Sequence, residues 1–296
     1  MKNLMIPALA LFLSAAAQAD DSPLWMRYCA ISPDGQTIAF SYQGDIYTVP
    51  SSGGKARQLT THPAHDTRPV WSPDGQKIAF ASNRSGNFDV FLMNKEGGEP
   101  KRLTTHSTNE YPTTFKDNGH ILYLANILQD AKDIQFPGTR FMQVYEISTD
   151  GGRPDLYSSL YMENIALSKD GSKLLYNDYK GYEDPWRKHH QSSITRDIWL
   201  CTLGKDRSFQ KVTTFGGEDR NPVWGAADGA SFYYLSEEKG SFNIFKKDLA
   251  GNNEKQITTH TTHPVRFLTS DNSGTLCYSY DGEIYTVKEG QKPAKV

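Results

Sequence analysis

A short segment built around Ser-Pro-Asp-Gly recurs along the chain and constrains its fold more than any other feature. It reads AISPDGQTIAF at residues 30–40 and PVWSPDGQKIAF at residues 69–80, and four weaker copies follow. Successive turn glycines are 40, 44, 52, 58 and 45 residues apart; they are Gly35, Gly75, Gly119, Gly171, Gly229 and Gly274. Six units of this length, each with one hairpin signal, are typical of the blades of a β-propeller.

The order of signals within one unit supports the same fold. In the second unit an apolar stretch at 69–71 precedes the Pro-Asp-Gly turn, a β-rich run at 77–81, an alternating run at 88–93 and a Gly-Gly turn. This pattern indicates four short antiparallel strands, without helix-period segments of useful length. We therefore predict an all-β protein, a six-bladed β-propeller of four-stranded antiparallel blades. A solenoid of stacked meanders is the rival fold, but it would need distinct capping units.

The repeats also predict the limits of the blades, at about 27–66, 67–109, 110–162, 163–218, 219–262 and 263–296. The first blade has signals for all four of its strands, so strand exchange between the chain ends is not needed to close the ring. The outermost strand of the last blade is expected to start near Lys295, where the sequence stops. That blade would keep an incompletely paired edge, and we therefore expect the sequence to be part of a longer polypeptide.

The first 19 residues have the layout of a secretory signal peptide. Lys2 supplies a positive charge, residues 4–13 are apolar, and Ala-Gln-Ala at 17–19 is a small-x-small cleavage site. The apolar run is too short to cross a bilayer as a helix, and no later run is long enough. We predict a periplasmic or otherwise exported mature chain, residues 20–296, with no membrane span.

Three cysteines, Cys29, Cys201 and Cys277, are too few and too far apart for a disulfide framework. All three lie in apolar runs that read as strands, where a cysteine commonly acts as a small buried hydrophobe. A single bridge between Cys29 and Cys277, joining the two ends of the chain, is the alternative. The sequence leaves both possibilities open.

Composition and charge exclude several classes of function. With 37% hydrophobic residues the chain can build a packed core, so a largely disordered protein is excluded. The 32 Lys and Arg residues nearly balance the 34 Asp and Glu residues, and no basic block stands out. We therefore expect no nucleic-acid partner, because such a partner requires a concentrated basic face.

The recurrent histidines and aspartates have structural explanations. His62, His106 and His260 occupy equivalent positions on different blades, so they are expected to be too far apart to share a metal ion. Turn aspartates such as Asp34 and Asp74 can accept a backbone hydrogen bond two residues on. We place these turns at outer hairpins, too dispersed for a calcium site, and expect neither a metal nor another cofactor.

The repeat Ser-Pro-Asp-Gly-x-x-Ile-Ala-Phe, with GDIYTVP at 44–50 and a Gly-Gly turn before Leu-Thr, resembles the WD-repeat-like propeller units of TolB and of the tricorn peptidases. The opening LWMRY at 24–28 is most similar to the exported tricorn-type serine peptidases of Gram-negative bacteria. Those enzymes carry two propellers, a PDZ-like module and a serine-dependent catalytic domain, and residues 20–296 resemble only their N-terminal six-bladed propeller. The resemblance implies a scaffold or gate with a central channel, and it transfers no catalytic residue.

The starts of the inner strands are the most function-like positions, because in a propeller this junction rims the central channel on one face. Basic and acidic side chains alternate there and would form a mixed-sign mouth for peptide backbones and termini. The candidate residues are Arg27, Asp66, Arg68, Glu110, Tyr111, Glu163, Asn164, Asp219, Arg220, Asn221 and His263. Mutual ion pairing of these residues between blades is the alternative.

Two long insertions are expected on the same face, at 126–140 and 179–196, between the second and third strands of their blades. The second contains Tyr182, Trp186 and Arg187, and an exposed tryptophan beside cations suits the docking of a protein partner. A loop folded over the neighbouring blades is the alternative.

The sequence has no Gly-x-Ser-x-Gly motif and no recognisable grouping of nucleophile, base and orienting acid, so we predict no catalytic residue. The leading hypothesis is a non-catalytic propeller of a periplasmic tricorn-type serine peptidase, a channel, gate and scaffold in peptide degradation. Its partners would be peptides or a peptidase catalytic domain. A stand-alone TolB-like interaction propeller is the alternative, and an independent metal-dependent hydrolase is the third hypothesis.

Overall fold

A computed structural model of the chain describes residues 24–127, 141–181, 191–225, 229–250 and 252–296. These residues form 24 strands and no helix, arranged as six four-stranded antiparallel sheets. Within this part of the chain, no helix is long and apolar enough to cross a membrane. The predicted signal peptide, residues 1–19, lies outside the described residues.

Each sheet is one blade and consists of four strands that are consecutive in the chain. Blade 1 contains β1 (Arg27–Ile31), β2 (Thr37–Tyr42), β3 (Asp45–Pro50) and β4 (Arg57–Gln58). Blade 2 contains β5 (Asp66–Trp71), β6 (Lys77–Ser82), β7 (Asp89–Asn94) and β8 (Gly97–Arg102). Blade 3 contains β9 (Glu110–Asp117), β10 (His120–Ala125), β11 (Gln143–Ser148) and β12 (Asp155–Ser158).

The second half of the ring repeats the same order. Blade 4 contains β13 (Met162–Leu167), β14 (Lys173–Asp178), β15 (Ile198–Thr202) and β16 (Ser208–Lys211). Blade 5 contains β17 (Asp219–Trp224), β18 (Ser231–Ser236), β19 (Asn243–Asp248) and β20 (Lys255–Gln256). Blade 6 contains β21 (Arg266–Ser270), β22 (Leu276–Tyr280), β23 (Glu283–Val287) and β24 (Ala294–Lys295).

The predicted six-bladed propeller is therefore confirmed, and its sheets form without strand exchange. The expected incomplete edge of blade 6 is wrong. β24 pairs with β23 through Tyr285 opposite Lys295 and Thr286 opposite Ala294. Its two residues equal the length of β4 and β20, so the outermost strand is short in three blades.

The Ser-x-Asp-Gly turn forms through a local hydrogen-bond network. Asp34 Oδ1 accepts from Ser32 Oγ at 2.5 Å and from the backbone N–H of Gln36 at 3.0 Å, while Ser32 Oγ accepts from Thr37 N at 3.0 Å. The hydroxyl of Ser32 is the main reason why the pKa of Asp34 lies below its usual value. The same contacts recur around Asp74 and Asp170 in blades 2 and 4. The structural role expected for these aspartates is confirmed.

The location expected for these turns needs correction. They connect the first and second strands, and the first strands lie nearest the axis, so the turns are inner hairpins rather than outer ones. Neighbouring turns touch, because Asn272 N donates to Pro33 O at 3.1 Å between blades 6 and 1. The aspartate-bearing turns thus surround one end of the central opening.

Adjacent blades pack through apolar faces and through two matched tryptophans. Trp71 Nε1 in blade 2 donates to Ala30 O in blade 1 at 2.9 Å, and Trp224 Nε1 in blade 5 donates to Ala166 O in blade 4 at 2.9 Å. A buried indole N–H requires such an acceptor. The Pro-Val-Trp sequence that precedes the turn therefore ties each of these first strands to the one before it.

The threonine that recurs at the end of four units caps the third strand. The hydroxyls of Thr60, Thr104, Thr213 and Thr258 accept the backbone N–H groups of Ile46, Val90, Ile198 and Ile244 at 2.9–3.0 Å. All four threonines are buried. Since an unpaired buried N–H costs about 1–3 kcal/mol, this contact explains the recurrence of the threonine in the sequence.

Two turn glycines with nearly the same φ allow a matched test of how the inner turns pack. Gly35 and Gly171 have φ of +74° and +70°, but an added Cβ would overlap Asp271 Oδ2 only at Gly35 and would meet nothing within 4 Å at Gly171. Asp271 is held by Ser273 N and Thr275 N, both at 2.8 Å from Oδ1. Gly171→Ala should lower the free energy of unfolding by about 1–2 kcal/mol through the positive φ alone.

Gly35→Ala should lower the free energy of unfolding further, by roughly another 1–3 kcal/mol, because the carboxylate of Asp271 must move to admit the new Cβ. Denaturant unfolding of the two variants measures the difference. Equal losses in the two variants would show that the inner turns of blades 1 and 6 do not pack as described.

Candidate functional site

The first strands of all six blades line a central cavity of ≈ 900 Å³. This places a channel where a propeller is expected to have one, with walls built from β1, β5, β9, β13, β17 and β21. Five of these strands share a backbone irregularity that decides which side chains reach the cavity.

The irregularity is a β-bulge whose central residue has a left-handed conformation. The residues concerned have φ between 48° and 56°, and all line the cavity; they are Tyr28, Arg68, Asn164, Asn221 and Phe267. Each bulge falls where the register with the second strand shifts. Blade 3 has Pro112 near this position, and a proline ring excludes positive φ. Such bulges redirect side chains, here at equivalent heights around the axis.

Arg68 is the most function-like of these five residues. Its guanidinium carbon lies 4.3 Å from the ring centroid of Tyr111 and 5.3 Å from that of Tyr28. The ring of Tyr28 in turn lies 4.5 Å from that of Phe267. Among the described residues no carboxylate forms an ion pair with Arg68. The arrangement is a half-buried cation held between aromatic rings, with its hydrogen-bond donors available to a ligand.

A second cavity of ≈ 1270 Å³ adjoins Arg68 on the face where the inner strands begin. Tyr28, Arg68 and Tyr111 belong to its lining, and Tyr28 and Arg68 also line the central cavity. The remaining lining includes aromatic side chains and a second cation; these are Trp25, Arg27, Tyr42, His65 and Phe88. We call this surface of blades 1 and 2 the aromatic groove. It leads to the channel at Arg68.

The opposite side of the mouth, in blades 4 and 5, neutralises its own charges. Arg196 Nε donates to Glu163 Oε2 at 2.9 Å, and Arg196 Nη1 donates to Glu218 Oε1 at 3.0 Å. Arg220 Nε lies 3.5 Å from the same Glu218 oxygen, and its guanidinium covers the ring of Phe242 at 4.1 Å. Arg196 was not among the sequence candidates, because it lies in an insertion rather than at an inner-strand start. The candidates Glu163 and Arg220 are thus ion-paired, but with Arg196 and Glu218 rather than with another candidate.

The two candidate asparagines tie blades together. Asn221 Nδ2 donates to Leu268 O at 2.9 Å and its Oδ1 accepts from Leu268 N at 3.2 Å, so the amide pairs with the backbone of blade 6. Asn164 Nδ2 donates to Asn177 Oδ1 at 3.0 Å, and Asn221 N donates to the same oxygen at 2.8 Å. Both side chains line the cavity, but their amides already have protein partners.

Three candidate carboxylates do not face the channel. Asp66, Glu110 and Asp219 are at most 1% exposed and belong to neither cavity lining, so their placement at the rim needs correction. Asp66 Oδ2 accepts from Arg84 Nη2 at 2.8 Å. Each is the first residue of its strand. In β5 and β17 the left-handed bulge that follows separates the orientation of the carboxylate from that of the channel residues.

Burial leaves two of these carboxyls weakly acidic. Desolvation, the largest cause, raises the pKa of Glu110 to about 7, and the nearby charge of Asp89 adds to it. Desolvation likewise raises the pKa of Asp219 to about 7. Glu110 Oε2 and Asp219 Oδ1 have no hydrogen-bond partner among the described residues. Both groups therefore hold a proton in the folded protein over much of the acidic range.

The remaining candidates lie elsewhere. Exposed His263 has its Nε2 at 3.2 Å from Asp281 Oδ1 and lines neither cavity. Tyr182, Trp186 and Arg187 lie outside the described residues. In the part of the chain that is described, no three His, Cys, Asp or Glu residues form a group that could hold a metal ion.

Comparison with known proteins assigns the fold to a family. Residues 23–293 match the family described as the tricorn protease N-terminal β-propeller domain. The chain belongs to this family. Its sequence is 23% identical over 268 residues to a tricorn protease homolog of Saccharolobus solfataricus, covering 88% of this chain and 23% of that protein.

Solved structures show the same architecture. A crystal structure of the tricorn protease superposes with a TM-score of 0.74 at 21% identity, over 93% of this chain and 26% of the other. A putative TolB from Agrobacterium tumefaciens gives a TM-score of 0.61 at 17% identity, over 79% and 81% of the two chains. At these identities the likeness shows the fold alone. The tricorn-type propeller spans about a quarter of the length of the tricorn relatives it matches.

The raised pKa of Glu110 makes the free energy of unfolding depend on pH, and this dependence can be measured. Its folded value of about 7 exceeds the unfolded value near 4.5, so the stabilisation is fully present below pH 4.5 and is lost as the pH rises to about 7. Between pH 5 and 8, the wild-type propeller should lose up to about 3 kcal/mol of unfolding free energy that Glu110→Gln does not lose.

Denaturant unfolding at several pH values measures this difference. Glu96→Gln is the control, because Glu96 is exposed and paired only with exposed Arg57. It should follow the wild-type pH dependence. If Glu110→Gln follows the wild-type curve as well, the carboxyl of Glu110 is not buried as a neutral acid.

Proposed function

We propose that this propeller is a non-catalytic part of an exported tricorn-type serine peptidase, and that its channel mouth binds peptides by their C-terminal carboxylate. Arg68, held between two tyrosines without a carboxylate partner, is the observation that carries this proposal. Membership of the tricorn propeller family supports the link to peptide degradation. Cleavage itself would take place in another part of the larger protein.

The charge distribution at the mouth favours an anionic end group. Arg196 and Arg220 in blades 4 and 5 are engaged with Glu163 and Glu218. Among the described channel residues, Arg68 therefore offers a guanidinium without a carboxylate partner, and a carboxylate matches its paired donors. Tyr28 and Tyr111 shield this site from solvent, which strengthens the interaction.

The size and the lining of the two cavities suit a short peptide. A cavity of ≈ 900 Å³ is at the upper end of the size typical of small-ligand sites and accommodates a short peptide. The aromatic groove outside it presents Trp25, Tyr42 and Phe88 to apolar side chains. A peptide could place its C-terminus on Arg68 and its preceding residues along this groove.

Binding of matched peptides tests the site. A pentapeptide of alanines ending in phenylalanine, with a free C-terminus, should bind the wild-type chain at least tenfold more tightly than Arg68→Gln, because a charge-assisted contact contributes about 1.5–3 kcal/mol. The amidated peptide should bind both proteins equally. Calorimetry or fluorescence anisotropy measures the affinities.

Arg153→Gln is the matched control, because Arg153 is exposed in the Gly-Gly turn of blade 3 and lines neither cavity. It should leave the affinity unchanged. Equal affinity of wild type and Arg68→Gln for the free peptide, with both folded, would exclude Arg68 as the carboxylate site.

A stand-alone TolB-like interaction propeller is the second candidate. The superposition with the putative TolB covers similar shares of both chains, which favours it. The reading frame beyond Val296 separates the two. An open frame encoding a second propeller and a serine peptidase domain supports the tricorn proposal, whereas a stop codon supports the TolB-like one. The predicted signal peptide suits both, so export is part of either proposal.

A further inference from the structure

The contact between blades 6 and 1 differs from the other five blade contacts. Every other pair of neighbouring blades is joined by continuous chain, whereas blades 6 and 1 contain the two ends of the described sequence. Four consecutive strands make each sheet, so no exchanged strand spans this contact. We call it the seam.

Hydrogen bonds and a small apolar cluster hold the seam. Met26 N donates to Gly282 O at 3.0 Å, and Ile31 N donates to Thr269 Oγ1 at 3.2 Å. The apolar cluster combines side chains of blades 1 and 6, and both Cys29 and Cys277 belong to it.

Cys29 in β1 and Cys277 in β22 lie on the two sides of this seam, in the same apolar cluster. Cys29 is 1% exposed and Cys277 is fully buried. On β22, Cys277 and Ser279 point to the same side because they are two residues apart, and Ser279 Oγ lies 3.5 Å from Cys29 Sγ. Opposite Cys277 on β21 stands Thr269, whose hydroxyl donates to Cys29 O at 3.4 Å. The nearby Cys29 thiol is one of the causes that raise the pKa of the Cys277 thiol, after desolvation.

We propose that Cys29 and Cys277 form a disulfide when the chain folds in an oxidising compartment, and that this bond covalently closes the propeller ring. Both thiols are free in the structure. Cys201, also buried, packs in a different cluster formed by blades 3 and 4, so it is not a competing partner in the folded chain.

The oxidant would be another disulfide, of a small molecule or of an exchange protein. One cysteine thiolate attacks a sulfur of that disulfide, a mixed disulfide forms, and the first thiolate of the oxidant leaves. The second cysteine thiolate then attacks the protein sulfur of the mixed disulfide, the Cys29–Cys277 bond forms, and the second thiolate leaves. The protein loses two protons and two electrons, and the oxidant becomes two thiols.

Burial determines when this reaction occurs. Desolvation, the largest cause, raises the pKa of the Cys277 thiol, so in the folded protein it is protonated and unreactive. Thiol–disulfide exchange therefore takes place during folding, before blades 6 and 1 pack together and bury the two thiols. The same burial would protect the bond from reduction once the ring is complete.

Refolding in a defined redox buffer tests the proposal. The reduced, denatured chain is refolded with oxidised and reduced glutathione. It is then denatured again in the presence of N-ethylmaleimide, which alkylates free thiols, and analysed by intact mass and peptide mapping. The expected result is one maleimide per chain, on Cys201, together with a linked peptide pair containing Cys29 and Cys277. Three maleimides per folded chain, or a bridge to Cys201, would overturn the proposal.

Two variants and a second route control the result. Cys201→Ala should bind no maleimide after oxidative refolding, and Cys277→Ser should bind two. Cell-free synthesis in the presence of oxidised glutathione removes the dependence on refolding and should give the same masses. Because the bond closes a loop of about 250 residues, oxidised wild type should have a Tm roughly 5–10 °C above its reduced form, whereas Cys277→Ser should show no such shift.

Discussion

The bulge in the inner strand is the constraint on which the channel depends. Six first strands must approach one axis, and in five of them a non-glycine residue adopts a left-handed conformation there. Such a conformation costs roughly 1–2 kcal/mol per residue, so surrounding contacts must hold it in place. The Asn221 amide paired with Leu268 supplies such contacts. The bulges of β1 and β5 also place the side chains of Tyr28 and Arg68 in the wall of the channel.

Features governed by local chemistry could be read from the sequence. The turn aspartates bond to backbone groups of their own blade, so the repeat that contains them predicted both the hairpins and the number of blades. The capping threonines likewise bond within their own blade. Side-chain direction at the inner-strand starts could not be read in this way. Strict alternation places Asp66 and Arg68 on one face of a strand, but the left-handed residue breaks that alternation, and Asp66 becomes buried.

The different partners of Arg68 and Arg220 also could not be predicted from the sequence. Arg220 lies one position before the counterpart of Arg68, which is Asn221. It meets Glu218, which also pairs with Arg196 from an insertion. Arg68 instead meets tyrosines of blades 1 and 3. These neighbours come from other parts of the chain, and only the closed ring brings them together. A propeller with nearly equal repeats therefore acquires a mouth with one cationic side and one neutralised side.

A structure of the propeller with a bound peptide tests the central claim most directly. Crystals grown with a short peptide that has a free C-terminus should show its carboxylate about 3 Å from the guanidinium nitrogens of Arg68, with the chain extending along the aromatic groove. A peptide bound with its carboxylate elsewhere on the propeller, and with Arg68 still facing only Tyr28 and Tyr111, would contradict the account.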